Sequence, residues 1–382
     1  MIKRVIEENL IKLANQFKAI AVVGPRQSGK TTLTRYVFSD KPYVSLENPD
    51  TRQFAAEDPR GFLSQFPDGA VFDEVQRVPH LFSYLQQILD DRDQPGQFIL
   101  TGSNNFLLQE SISQSLAGRI AYCYLLPFSI GEINTIAGPV TLKDTLFKGG
   151  YPPLYDKKIH PIQWYPNYLR TYVERDVRQI KNINNLAAFE RLLKLCAGRI
   201  GQLLNMSSLA IEAGVDTKTI QSWLGVLESS FIIHLLRPHH RNFNKRIVKM
   251  PKLYFYDTGI ACSLLGIQHK DQLETHPLKG SLFENFVINE LIKNRFNAIR
   301  QNNLYFWRDN TGNEVDIIID KGTTLYPVEI KAGKTITPEY FKNILFWNKV
   351  TSGSEGSVVY AGDSVQKRTG TEIIPWNKTG SL

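Results

Sequence analysis

The sequence predicts an α/β protein: a parallel sheet covered by helices on both faces in the first third, then a helix-rich region, then a second α/β segment. Three observations carry this. From residue 1 to about 130, short apolar runs alternate with helix-like segments, and such alternation builds parallel sheets because each crossover lays a helix against the strands it joins. A glycine-containing loop, Gly24-Pro25-Arg26-Gln27-Ser28-Gly29-Lys30-Thr31, separates the first apolar run from the first helix. A Gly/Pro-marked passage (Gly131, Gly138-Pro139, Gly149-Gly150-Tyr151-Pro152-Pro153) closes this pattern and reads as a boundary.

The expected strands are residues 19–23, 43–47, 70–73, 97–101 and 119–125, with Pro127 closing the last. The first, Ala19-Ile20-Ala21-Val22-Val23, is apolar throughout and leads into the loop, which fits G-x-x-x-x-G-K-[ST]. In a strand–loop–helix setting the backbone N–H groups of Gly24, Pro25 to Thr31 and Thr32 wrap phosphates, proline's missing donor excepted, and the helix N-terminus adds partial positive charge. Lys30 would reach the β- and γ-phosphates, and the Thr31 hydroxyl would hold Mg²⁺. The implied ligand is a nucleoside triphosphate. Ala70-Val71-Phe72 ends in Asp73-Glu74. An acid at that strand end coordinates Mg²⁺ through water, and the next one orients or deprotonates the attacking water, so Asp73 is assigned to the metal and Glu74 to the general base. Residues 97–101 run into Gly102-Ser103-Asn104-Asn105, where Ser103 and Asn104 are candidates to touch the γ-phosphate or the lytic water. The same four residues are also ordinary turn chemistry.

At 382 residues the chain is expected to hold two or three domains, and its 42% hydrophobic and 21% charged content is that of a soluble globular protein. A net charge of +8 is compatible with a nucleic-acid partner without demanding one. Cys123, Cys196 and Cys262 are odd in number and widely spaced, which implies neither a disulfide framework nor a metal site and points to a reducing interior. No apolar run approaches the ~18 residues of a membrane span. The start, Met1 to Glu8, has both charge signs and no signal-peptide core; it is expected to form a short amphipathic helix on the sheet. A cytoplasmic protein with no membrane association is expected.

The expected division is residues 1–135 for the ATPase core, 136–200 for a helical lid or linker, 201–272 for a third unit and 273–382 for a fourth. In the third, Ser207 to Val215 and Asp216 to Leu224 form a helix–turn–helix pattern around Gly214. A basic run follows, Arg237-Pro238-His239-His240-Arg241-Asn242-Phe243-Asn244-Lys245-Arg246 with Lys249 and Lys252, and no acid occurs between Glu228 and Asp257. This combination resembles a winged helix, whose second helix enters a major groove while the wing touches phosphate; winged helices also serve as protein-interaction modules.

In the fourth unit, residues 280–291 show helical spacing with Glu284 among the apolar positions, and residues 304–308, 314–320 and 325–331 read as strands. Alternation puts Glu329 and Lys331 on one face, with Asp316 on the neighbouring strand. Two carboxylates can hold a divalent ion and a lysine can help activate water, as phosphodiester cleavage requires. The segment resembles the PD-(D/E)XK nuclease superfamily, which implies Glu284, Asp316 and Glu329 as metal ligands and Asp316, Glu329 and Lys331 as catalytic. The same fold also persists with a structural salt bridge and no cleavage.

The whole chain resembles a group of prokaryotic AAA-type P-loop NTPases with a C-terminal domain of unknown function. The likeness is carried by residues 23–31, Tyr43-Val44-Ser45-Leu46-Glu47, Phe72-Asp73-Glu74-Val75-Gln76, Leu100-Thr101-Gly102-Ser103, Leu116-Ala117-Gly118-Arg119, Tyr172-Val173-Glu174-Arg175-Asp176-Val177 and Tyr256-Asp257-Thr258-Gly259. Glu47 stands where the pattern more often has Asp. The resemblance implies ATP and Mg²⁺ as cofactors and self-association into rings or side-by-side pairs, with a neighbour's arginine at the γ-phosphate; Arg119 is the first candidate and Arg175 the second. Two functions stay open. One is a DNA-associated ATPase, with DNA favoured over RNA, whose nucleotide state controls binding or cleavage. The other is an ATP-driven switch with an inert nuclease-like domain that mediates protein contacts. A small-molecule kinase lacks support, because Asp73-Glu74 points to water as the nucleophile.

Overall fold

The computed structural model describes residues 2–103, 112, 114–177, 183, 185–240 and 248–382, the side chains of Arg175, Asp176 and Ser381 excepted. The chain divides into two compact units, Met1–Phe128 with Arg295–Arg300, and Ser129–Asn294 with Gln301–Leu382.

The first unit is built on five parallel strands: β1 (Ala19–Val23), β2 (Tyr43–Ser45), β3 (Ala70–Asp73), β4 (Phe98–Gly102) and β5 (Ile120–Tyr124), in the order β2-β3-β4-β1-β5. All five run where the apolar pattern placed them, to within two residues. β1, β3 and β4 are buried along their whole length, which explains unbroken apolar runs in place of alternation. The helices are α1 (Glu7–Ala14), α2 (Lys30–Val37), α3 (Pro49–Glu57), α4 (Pro59–Ser64) and α5 (Leu81–Asp91). The amphipathic helix expected over Met1 to Glu8 lies later, at α1, where Leu10, Leu13 and Ala14 join one core with Ile20, Val22, Leu33, Val71, Ile99 and Cys123. On the other side Phe62, Phe66, Phe72 and Phe98 form an aromatic cluster, with Phe72 stacked on Phe98 and the Phe66 ring edge-on to Phe62 and Phe72. Strand β4 lies between β1 and β3, so its carboxyl end is held between the glycine-containing loop and the acid pair.

The second unit begins at the start of the Gly/Pro-marked passage, where Ser129 and Glu132 form a capping box for α6 (Ile130–Ala137). The far end of that passage is packed: Gly150 N–H donates to Asp257 Oδ2 at 2.7 Å, and Tyr165 O–H donates to Asp257 Oδ1 at 2.6 Å. Helices α7 (Leu142–Lys148), α8 (Pro152–Asp156) and α9 (Pro161–Thr171) precede a wider turn at Tyr172–Val177, then α10 (Leu186–Ala197). Helices α11 (Met206–Ala213) and α12 (Thr217–Ser229) make the expected helix–turn–helix. Gly214 closes α11 at φ 74°, a left-handed turn that glycine adopts at no steric cost, and the Asp216 carboxylate caps α12 through Thr219 N–H at 2.9 Å. Strands β6 (Ile233–Leu236) and β7 (Lys252–Phe255) pair antiparallel behind it. Arg241 to Arg246 of the basic run lie outside the described residues.

After α13 (Thr258–Leu264) and α14 (Lys279–Asn297) comes a mixed sheet of β8 (Leu304–Arg308), β9 (Glu314–Asp320), β10 (Leu325–Lys331), β11 (Gly356–Tyr360), β12 (Gln366–Arg368) and β13 (Thr371–Pro375), in the order β12-β13-β11-β10-β9-β8. β8, β9 and β10 form an antiparallel meander; β11 joins β10 in parallel after α15 (Lys342–Thr351). The three cysteines are buried free thiols. No described helix is long and apolar enough to cross a membrane.

Candidate functional site

The loop after β1 turns into α2 through Gly29, whose φ of 97° is open to glycine and closed to most other residues. A Cβ on Gly24 would collide with the Leu125 carbonyl oxygen, so the loop's first residue is pressed against the chain leaving β5. Lys30 is buried and its ammonium donates to the carbonyls of Gly24 (2.9 Å) and Pro25 (2.8 Å). Burial lowers its pKa below the usual lysine value, opposed by the charges of Glu74 and Asp73. The Ser28 hydroxyl is buried inside the loop with no hydrogen-bond partner. Arg26 is half-buried, while Gln27 and Thr32 are exposed.

Asp73 gathers three hydroxyls: Thr31 Oγ1 at 3.0 Å and Tyr43 O–H at 2.5 Å on Oδ2, and Thr101 Oγ1 on Oδ1. Glu74 follows with φ 56°, a left-handed backbone at a residue with a Cβ, the kind of strain that concentrates at functional positions. Gln76 and Ser103 Oγ (3.0 Å) both donate to Glu74 Oε2, and the Glu74 N–H reaches Thr101 Oγ1 at 3.4 Å. Both side-chain donors converge on one carboxylate oxygen, Oε2. Thr31 at the end of the loop contacts Asp73, and Ser103 contacts Glu74. Asn104 lies outside the described residues. Arg119 is not brought to this group: it stands at the start of β5, beside the first residue of β1, and pairs with Asp90 through Nε and through Nη2 at 3.0 Å. Arg175, the other arginine candidate, has its side chain outside the described residues. Tyr43, Thr101 and Arg4 are the members that sequence reasoning missed. Arg4 is buried, and its guanidinium donates to the carbonyls of Ser28 and Leu126.

A thiol-free cluster of charges forms in the second unit. Glu329 and Lys331 share a face of β10, with Lys331 Nζ 2.6 Å from Glu329 Oε2 and 3.8 Å from Asp316 Oδ2. Asp316 also accepts the Ile330 N–H at 2.7 Å, and Asn343 donates to Glu329 Oε2 at 3.1 Å. Glu329 is fully buried, and burial together with the Asp316 charge pushes its pKa to about 8 against the opposing pull of Lys331. For Lys331, burial works downward, but Asp316 and Glu329 outweigh it and hold the pKa above the usual lysine value.

The helical acid meets a different partner. Lys252 of β7, read from the sequence as a wing cation, is 3% exposed. Its ammonium lies 3.1 Å from Glu284 Oε1 and also pairs with Glu314, while Tyr254 O–H donates to Glu284 Oε1 at 2.5 Å. Arg308 closes the outer side of Glu314 at 3.0 Å. Glu284, Asp316 and Glu329, expected to share a metal, are each paired with a lysine, Lys252 or Lys331; among the described residues no group of three or more His, Cys, Asp or Glu is placed to hold a metal ion.

Residues 16–134 match a family model described as an AAA domain; residues 140–271 and 279–379 match two domains of unknown function, DUF8612 and DUF4143. Uncharacterized proteins of Mycobacterium bovis and Mycobacterium tuberculosis are each 32% identical over 331 residues, spanning 85% of this chain and 72% of theirs. A Walker-type ATPase of Pyrococcus abyssi superposes with a TM-score of 0.47 at 14% identity, covering 69% of this chain and 96% of that one.

Proposed function

The chain belongs to the family of these two mycobacterial proteins, with an ATPase-like P-loop domain at its front, and from that premise we propose that it is a Mg²⁺-dependent ATP hydrolase whose nucleotide state switches what its second unit engages. The observation that supports hydrolysis is the joint placement of Thr31, Asp73, Thr101 and Glu74 beside the phosphate loop. The unpartnered Ser28 hydroxyl and the buried Lys30 suit a polyanion in the loop. Thr31 and Asp73, an oxygen pair facing each other at 3.0 Å, suit a hard cation. When bound, Mg²⁺ would neutralise charge on the β- and γ-phosphates.

The protein's own groups divide the work. Backbone N–H groups of Gly24 to Thr31, other than that of Pro25, orient the phosphates, and Lys30 leaves its loop carbonyls for the β- and γ-oxygens. Glu74 Oε1 accepts a proton from water as the water oxygen bonds to the γ-phosphorus; the bond to the β–γ bridging oxygen breaks and ADP carries that oxygen away. Ser103 and Gln76 fix the carboxylate so that one oxygen faces the water. An arginine from a neighbouring copy, with Arg119 the candidate, would complete the charge balance in a ring or side-by-side pair.

For the second unit the reading is contact, not cleavage, and the seating of Lys252 between Glu284 and Glu314 supports it. A PD-(D/E)XK-like sheet would then serve as an inert scaffold beside a winged helix. A second reading, nucleic-acid engagement with DNA favoured, rests on the capped helix–turn–helix, which presents Thr217, Lys218 and Gln221 to solvent.

The test compares parent, Lys30→Ala, Asp316→Ala and Lys331→Ala. Phosphate release from ATP is measured, and linear DNA, supercoiled DNA and RNA are incubated with Mg²⁺ or Mn²⁺, with and without ATP. Expected is phosphate release that Lys30→Ala abolishes, and no strand cleavage by any protein. Cleavage by the parent that disappears in both Asp316→Ala and Lys331→Ala would overturn the inert reading. Duplex binding that falls steeply with salt would favour the nucleic-acid reading.

A further inference from the structure

A buried arginine outside the motif hydrogen-bonds to the loop after β1. Arg4 is 5% exposed, and its guanidinium spends two donors on main-chain oxygens: Nη1 to Ser28 at 2.9 Å and Nη2 to Leu126 at 2.7 Å. Its plane sits over the Phe128 ring, 4.8 Å from the centroid. The base of the side chain is anchored as well, because the Arg4 N–H donates to Glu7 Oε1 at 2.6 Å at the start of α1.

These contacts bear on the loop's chemistry through the geometry of the peptide unit. The Ser28–Gly29 peptide is trans, so its C=O and N–H point in opposite directions. Holding the Ser28 carbonyl against Arg4 therefore turns the Gly29 N–H away from Arg4. The same guanidinium fixes Leu126, one residue beyond the Leu125 carbonyl that presses on Gly24. One planar, permanently charged group thus ties the Ser28 carbonyl inside the loop to the chain that packs on the loop's first residue. Lysine carries a compact charge on a flexible stem and no planar fork, so at this position it would hold the two carbonyls less rigidly than arginine does.

We propose that Arg4 is a positioning residue for nucleotide binding, which pre-sets the Ser28–Gly29 peptide so that its N–H faces the phosphates. This role rests on the ATP-binding reading. It acts on the phosphate chain and is indifferent to the base. By reciprocity, a ligand that favours the set loop stabilises the segment that sets it.

The experiment uses the full chain as parent, Arg4→Met and Arg4→Lys. Dissociation constants for a non-hydrolysable ATP analogue and for inorganic tripolyphosphate are measured by calorimetry, Tm is taken without ligand, and KM and kcat for ATP are determined. Hydrogen exchange of residues 2–10 is followed in the parent with and without the analogue. Expected is an affinity loss of about tenfold or more in Arg4→Met, equal for the two ligands, with an intermediate loss in Arg4→Lys. KM should rise with the loss while kcat stays within about twofold, as for an interaction made equally in ground and transition states. In the parent, the analogue should slow exchange at residues 2–10. A folded Arg4→Met that lowers Tm but binds both ligands like the parent would overturn the proposal, leaving Arg4 a structural residue. Unchanged exchange at residues 2–10 in a nucleotide-bound parent would overturn it too, without recourse to a variant. A parent that binds neither ligand would instead refute the nucleotide site itself, and the role of Arg4 with it.

Discussion

Replacing Lys252 by methionine removes the ammonium from between Glu284 and Glu314 while keeping most of its volume. At an effective dielectric of about 20, a unit charge 3.1 Å from Glu284 is worth about 5 kcal/mol of gross attraction, and Glu314 adds a second pair. Desolvation of the nearly buried ammonium offsets much of this. What the variant loses is compensation for acids left behind, for which about 3–5 kcal/mol is the usual cost. The sign with pH follows from Glu284, whose pKa is already raised by burial, with Lys252 opposing and Asp316 adding to the rise. A carboxyl held above its unfolded value favours the fold below about pH 4.5 and loses that contribution as pH rises through the folded value. Removing Lys252 takes away the opposing charge, so the loss should be small near pH 4.5 and largest near pH 8. Urea unfolding at the two pH values, followed by tryptophan fluorescence, reads this directly, because Trp164, Trp223, Trp307, Trp347 and Trp376 all belong to the second unit. Adding Glu284→Gln and Glu314→Gln to Lys252→Met should recover most of the loss. A cost below about 1 kcal/mol at pH 8, or one equal at both pH values, would refute the account of Lys252 as the counter-charge of the cluster.

Glu74→Gln should keep nucleotide affinity and lower kcat by about 10²–10⁴-fold, the range for a general base; turnover at the parent rate, measured by phosphate release, would remove Glu74 from that role. Gly24→Ala should abolish nucleotide binding through its collision with the Leu125 carbonyl while leaving the tryptophan-reported unfolding of the second unit unchanged. His234 is buried against Asn289, and burial lowers its pKa to about 4. Its contribution is complete above the usual value near 6.5 and is lost as pH falls toward 4, on the order of 3 kcal/mol in all. His234→Gln should flatten that part of the stability–pH curve, and a curve unchanged by the substitution would show that the acid sensitivity lies elsewhere.

The phosphate loop and the acid pair were legible because each is a contiguous stretch whose residue types have few other uses in that order. Strand positions were legible because β1, β3 and β4 are buried along their length and read as near-continuous apolar runs, polar only toward the carboxyl ends of β3 and β4. The order of the strands was not legible, and neither was Thr101, whose part depends on β4 lying between β1 and β3. Arg4, Tyr43 and Lys252 were missed for one common reason: each acts on residues tens of positions away, and nothing local distinguishes a buried cation or phenol from a solvated one. Lys252 is the instructive case. Its acid-free neighbourhood in sequence reads as a basic surface, yet its partners Glu284 and Glu314 come from a later helix and strand. Glu329 and Lys331 were placed on one face by simple alternation, and Asp316 beside them, but alternation says nothing about which cations will arrive to neutralise them.

The left-handed backbone at Glu74 sets heat tolerance against turnover at one position. A side chain with a Cβ pays roughly 1–2 kcal/mol to sit at φ 56°, whereas glycine sits there freely and asparagine nearly so. A library randomised at residue 74 and screened only for survival of heating should therefore enrich glycine and asparagine, and every clone so enriched should have lost hydrolysis. Glutamate is retained there against the preference of the main chain, and only a screen that reads turnover would recover it.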